Sequence, residues 1–241
     1  MKYSKVYEPR ISEYDKNGKL SLGSVIGIIE DTGAKHSASV NDDIIESGLK
    51  GISWILVEWN IEINKMPKNN QKLYMETWPV CKKAEFITNR EYEMKDENGN
   101  VYIHACERLV LEDFNAGKML KVTPELLEAY SPEPEVYHEF DFSKLKVPEN
   151  YDTELQFRVR ASDIDYNKHV HNTHYIDYAL DAIEQAGGNT ESVSGFRLHY
   201  KKPLTFGDCA TAKCKICDNG YLVGIYKDET LCTLVQIKKS L

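Results

Sequence analysis

The chain has 241 residues, 41% apolar and 10% aromatic, with a formal net charge of -8. That length and content suffice for one large core, or for two domains of about 110 residues each, without disulfide or metal staples. The acidic balance argues against a protein that grips nucleic acid through a basic face.

The opening MKYSKVYEPR has no apolar core of the kind a secretory signal needs, and no stretch approaches the roughly 18 apolar residues of a membrane span. A soluble cytoplasmic protein is expected. The 6 Cys are scattered, as reduced cysteines of a cytosolic chain would be. Cys214 and Cys217 in CKIC lack a second ligand pair and sit three apart on what reads as a strand, pointing to opposite faces. No metal and no cofactor are expected.

In chain order, a strand opens the sequence, and a helix follows in which Leu22, Val25, Ile26 and Ile29 recur at helical spacing. Four alternating runs come next: WILVEWNIEI, KLYMETW, FITNREYEM and VYIHACERLVL. They read as antiparallel strands, with DENGN as a hairpin turn. The basic pair Lys82-Lys83 lies between two of them. Residues 126–150, with SPEPEVYHEFDF at their centre, are rich in Pro, Glu and Tyr and read as a linker across the surface.

The chain then starts again. Laid without a gap over the segment from Tyr7, the segment from Phe157 puts Phe157 on Tyr7, Arg160 on Arg10, Ser162 on Ser12, Asp163 on Glu13, Asp165 on Asp15 and Asn167 on Asn17. The second helix carries Ile176, Ala179, Leu180 and Ile183 at helical spacing and stops at Gly187-Gly188. GFRLHY, CATAKCKI, YLVGIY and LCTLVQI follow as strands, with CDNG as a turn. The expected fold is α+β: two copies of one domain, 1–125 and 151–241, each an antiparallel sheet whose apolar face is covered by one long helix.

The copies differ where chemistry needs a titratable group. His169 stands where the first copy has Lys19, and Asn172 where it has Leu22. Only the second copy gains an imidazole able to move protons near neutral pH. Asn172 reads as the N-cap of a helix beginning at Thr173, which puts Asp165 to His171 just ahead of the helix start. There the positive end of the helix dipole can polarise a carbonyl and stabilise an oxyanion. His169 would activate water, Asp165 would orient the imidazole or the water, and Asn167 would fix water or substrate through its amide. Asp and Asn ahead of a helix are also ordinary turn and capping residues.

SDIDYNKHVHNTHYIDYALDAI resembles the active-site segment of the acyl-ACP thioesterases, where a D-x-N-x-H-V-N-N pattern opens the central helix of the second of two hotdog domains. Thr77, Trp78 and Pro79, and Phe86 with Arg90, match further marks of that family. The resemblance implies a tandem hotdog, catalytic roles for Asp165, Asn167 and His169, and release of a free fatty acid from acyl carrier protein. Asn172 and Tyr175 would meet the substrate. Trp54 and Trp78 would be candidate liners of an acyl pocket in the first domain, although packing in the ordinary core suits each of them too. Arg158, Arg160, Lys201 and Lys202 would meet the acidic carrier or its phosphopantetheine phosphate. A chain already holding two copies would act as a monomer or a homodimer.

Two departures stand out. Members of the family commonly carry a Glu, in plant enzymes followed by Cys, a few residues after the Tyr of the strand that follows this helix. Here those positions hold Pro203 and Leu204, after Tyr200, and the V-N-N of the pattern reads Val170-His171-Asn172. Cys209 is poorly placed to serve as a nucleophile. An acyl-CoA thioesterase, a hydratase-like hotdog enzyme, and an acyl-binding module without chemistry remain the alternatives.

Overall fold

The computed structural model describes residues 1–80, 86–133 and 138–240. Lys82 and Lys83 lie outside the described residues. The chain divides into a unit at Met1–Phe140 and a unit at Asp141–Leu241. The first runs β1 (Tyr3–Tyr7), α1 (Leu22–Ser39), α2 (Ile44–Leu49), β2 (Ile52–Ile63), β3 (Leu73–Val80), β4 (Thr88–Lys95), β5 (Val101–Asp113), β6 (Lys118–Leu120) and α3 (Pro124–Glu128). The second runs β7 (Thr153–Arg158), α4 (Asn172–Gln185), β8 (Val193–Tyr200), β9 (Cys209–Cys217), β10 (Gly220–Lys227) and β11 (Thr230–Lys239).

Strand order within the first unit is β1-β3-β4-β5-β2, with β6 beside β5. Within the second it is β7-β9-β10-β11-β8, the same path repeated. Neighbours are antiparallel throughout both paths. Each alternating run expected to be a strand is one. The short α2, β6 and α3 carry too few periodic residues to be legible in advance.

The helices cover their sheets differently. α4 buries Tyr175, Ile176, Tyr178, Ala179, Ala182 and Ile183 along one stripe and packs on β7, β9 and β10. Burial in α1 extends further round, to Thr32, Gly33 and His36. A Cβ at Gly33 would lie 2.4 Å from the Tyr92 hydroxyl, so only glycine lets α1 approach β4 this closely.

Under α1 the N-terminal unit holds a polar cluster inside its core. Tyr92 donates to Glu107 (2.6 Å), Arg90 Nε lies 3.3 Å from the same carboxylate, and the Arg90 guanidinium meets His36 Nδ1 at 2.9 Å. The Tyr130 hydroxyl donates to Asp42 (2.5 Å) and accepts from the Ser37 hydroxyl (2.9 Å), and the Trp54 indole N–H donates to Asp42 (3.0 Å). Burial pushes the Glu107 carboxyl up to about 7, against the pull of Arg90 and Tyr92. Burial, with Arg90 alongside, pushes the His36 imidazole down to about 4.

Candidate active site

The site segment is built on a turn that both copies share. Ahead of it, Arg160 N–H donates to the Asp163 carboxylate at 2.9 Å, the Arg160 guanidinium lies 3.0 Å from it, and the Tyr178 hydroxyl donates to it at 2.8 Å. Burial disfavours ionisation of Asp163, but these donors outweigh it and hold the carboxyl at about 2. The first copy repeats the arrangement with Arg10 and Glu13 at 2.6 Å. Arg160 is thus committed to shaping the turn.

The loop itself is an Asx turn. Asp165 Oδ1 accepts from the N–H groups of Asn167 (2.8 Å) and His169 (3.3 Å), and the Asp165 N–H donates to the His169 carbonyl (2.8 Å). In the first copy Asp15 holds Asn17 and Lys19 in the same way, at 2.8 and 2.9 Å. One carboxylate oxygen of Asp165 therefore serves the backbone in both copies, whether or not an imidazole follows. Lys168 sits at φ 63 where the first copy places Gly18 at φ 70, so a residue with a Cβ holds a left-handed position beside His169.

Asn167 and His169 are exposed and Asp165 is half-buried. The imidazole of His169 has no hydrogen-bond partner among the described residues. It projects from the loop ahead of α4, where it can exchange protons with water or substrate.

The expected N-cap is corrected. α4 begins at Asn172, and His171 is the cap, with φ -60 and ψ 139 and its Nδ1 accepting from Thr173 N–H at 3.4 Å. The reason is the repeat: His171 occupies the place of Ser21, which caps α1 by accepting from Ser24 N–H at 3.1 Å. His174 N–H goes to the His171 carbonyl at 2.9 Å, so capping already engages part of the helix start. Burial lowers the His171 pKa, with His174 adding to the effect and Asp165 opposing it.

Tyr175 is 2% exposed, and its hydroxyl accepts from Leu204 N–H at 2.9 Å. The Leu204 carbonyl accepts from Val170 N–H at 2.9 Å. The segment after β8 is thereby clasped to the loop holding His169. Pro203, beside it, is exposed. Tyr200 donates to the Asn172 carbonyl at 3.2 Å. Tyr175 is expected from the sequence to meet the substrate; its hydroxyl, and that of Tyr200, are instead engaged with backbone in this clasp, partners that lie too far along the chain for the sequence to show.

Lys201, Lys202 and Arg158 are exposed, and the N–H groups of both lysines donate to the Cys232 carbonyl, at 2.8 and 3.1 Å. Trp78 is 1% exposed in the core of the N-terminal unit, with the Lys2 ammonium 4.1 Å from its ring centroid. Trp54 is half-buried there, tied to Asp42. Cys214 is buried and Cys217 exposed, as alternation on β9 requires. No group of His, Cys, Asp and Glu among the described residues is arranged to hold a metal ion. No helix among them is long and apolar enough to cross a membrane.

Two units of one strand order, each carrying a long helix, define a tandem hotdog protein. Residues 1–130 match the acyl-ACP thioesterase N-terminal domain and residues 147–236 the C-terminal domain, so the chain belongs to the acyl-ACP thioesterase family. It is 25% identical over 218 residues, 83% of its length, to oleoyl-acyl carrier protein thioesterase 2 of Arabidopsis thaliana, and spans 59% of that chloroplastic protein. The chain thus spans about three fifths of the length of the curated relatives it matches. The fold is that of an acyl-ACP thioesterase from Bacteroides thetaiotaomicron (TM-score 0.86, 21% identity, 99% of this chain and 98% of that one). It is equally that of the 12:0-ACP thioesterase from Umbellularia californica (TM-score 0.86, 15% identity, 99% and 97%).

Proposed function

We propose that this chain hydrolyses the thioester between a fatty acyl group and acyl carrier protein, with the chemistry in the C-terminal unit. The observation that carries the reading is the exposed His169 imidazole, without a hydrogen-bond partner among the described residues, held ahead of α4 on a turn whose counterpart in the first copy ends in Lys19. Family membership supports the substrate class.

In this scheme His169 takes a proton from water and the hydroxide attacks the thioester carbonyl carbon. The oxyanion forms near the positive end of the α4 dipole. Collapse breaks the C–S bond, and the imidazolium returns its proton to the departing thiolate. Asp165 keeps the loop in shape and lends negative charge to the imidazolium, and the Asn167 amide orients water or the acyl carbonyl. Pro203 favours water over an enzyme carboxylate or thiolate as the nucleophile. It also favours a second reading, an acyl-binding module without turnover.

Free thiol release from a panel of acyl-ACP and acyl-CoA substrates tests the proposal. Hydrolysis of acyl-ACP that falls by about 100-fold or more in His169→Ala is the expected result. Acyl binding with no turnover at any chain length would replace this reading with the binding module, and equal rates with acyl-CoA would replace the carrier-specific reading.

A further inference from the structure

We propose that the edge of the site loop is a docking surface for an acidic carrier protein, with Phe206 as its apolar anchor and Lys168, Lys201, Lys202 and Arg158 around it. The partner follows from the hydrolase reading above; the surface follows from the structure of the C-terminal unit.

Phe206 is 67% exposed at the tip of the turn between β8 and β9. A lone exposed aromatic on a flexible loop would say little. This turn is rigid: Thr205 N–H donates to Asp208 Oδ2 (2.8 Å), Asp208 N–H to the Thr205 carbonyl (3.1 Å), and Gly207 N–H to the Val159 carbonyl (3.1 Å). Gly207 takes φ 81, which frees the neighbouring position for a side chain aimed outward. An exposed aromatic group carried on a hydrogen-bonded turn needs little backbone ordering on binding, which suits an interface anchor.

The anchor is coupled to the chemistry by covalent and hydrogen-bonded links. Leu204, two residues before Phe206, accepts from Val170 N–H at 2.9 Å, and Val170 follows His169. A partner seated on Phe206 therefore lies beside the loop that presents the imidazole.

Charge selects the partner. Among the described residues none of Lys168, Lys201, Lys202 and Arg158 has an ion-pair partner, and all are exposed. On the same unit Lys213, Lys215 and Lys227 are neutralised by Glu154, Asp152 and Asp208, at 2.9, 2.9 and 2.7 Å, whereas Lys144, Lys146, Lys238 and Lys239, like the four above, have no ion pair among the described residues. Arg160 is outside the set because Asp163 neutralises it at 3.0 Å. In a chain of net charge -8, uncompensated cations gathered beside the site loop would attract an acidic surface that the rest of the chain repels. An acidic helix with an apolar residue for Phe206 matches this arrangement.

The test is Phe206→Ser, and separately Lys201→Glu with Lys202→Glu, in the full chain. Each is assayed with acyl-ACP, with an acyl-N-acetylcysteamine thioester, and by titration with holo-carrier protein. A drop of tenfold or more in kcat/KM for acyl-ACP, with the small thioester changed less than twofold by Phe206→Ser and carrier binding weakened in parallel, is expected. Equal losses on both substrates would move Phe206 into the acyl site and overturn the proposal, as would unchanged carrier kinetics and binding. Self-association of the unmodified chain that Phe206→Ser abolishes, with carrier binding intact, would assign the surface to a second copy instead. A chain that turns over neither substrate but binds carrier through Phe206 would sink the hydrolase reading and leave the docking surface standing.

Discussion

The Leu204 carbonyl accepts from Val170 N–H at 2.9 Å, while the Leu204 N–H donates to the buried Tyr175 hydroxyl at the same distance. One residue thus ties the first turn of α4 to the loop that carries His169. Replacing Tyr175 by Phe keeps the ring and its edge contact with Tyr200, at 5.5 Å between centroids, but leaves the Leu204 N–H buried without a partner. Tyr175→Phe should cost about 1–3 kcal/mol in a denaturant titration. It should also lower kcat, by up to about 100-fold where the loop shifts by an ångström. Unchanged stability would mean that Leu204 finds another acceptor.

Lys168 and Gly18 share a left-handed position in the two copies, at φ 63 and φ 70. A lysine pays for that conformation with steric strain, partly offset because glycine loses more freedom on folding. Lys168→Gly should therefore stabilise the chain by about 0.5–1 kcal/mol, visible as a higher Tm. The same change removes a cation from the docking edge and should lower kcat/KM for acyl-ACP. A lower Tm would show that the loop holds Lys168 without strain.

Glu107 binds its proton more tightly in the folded chain, where burial raises the carboxyl from 4.5 to about 7. The native state then holds more protons than the unfolded state across that window, so its contribution to stability falls as pH rises through it. Glu107→Gln cannot lose a proton. The stability of the original chain relative to this variant should decline from pH 4.5 to 7, by on the order of 3 kcal/mol. His36, held down to about 4 by burial and Arg90, works in the opposite direction and is common to both proteins. Denaturant titrations at several pH values give the slope; a flat difference would place Glu107 ionised throughout.

Much of the architecture was legible in advance because its causes are local. Alternation over WILVEWNIEI or YLVGIY dictates a strand wherever one face must be buried, and the i, i+3, i+4 spacing of Leu22, Val25, Ile26 and Ile29 dictates a helix. The gapless match of Arg10 to Arg160 and Asp15 to Asp165 already contained the shared turn, since an Asx turn needs only residues within four of each other. It contained the correct N-cap too, had Ser21 been set against His171 in place of reading Asn172 from residue preference alone.

By itself, then, the sequence determined the two copies, their elements, and the place where an imidazole enters the second. Only the tertiary structure decided what each polar group is committed to. Arg90 meets His36 across 54 positions of chain and Tyr175 meets Leu204 across 29, distances over which no periodicity carries information. The same holds for charge: Arg160 and Lys202 look equivalent as letters, yet one is locked onto Asp163 and the other has no ion-pair partner among the described residues. Hydrogen bonds and ion pairs form between groups that the packed fold brings within about 3 Å, and that proximity is a property of the folded chain as a whole.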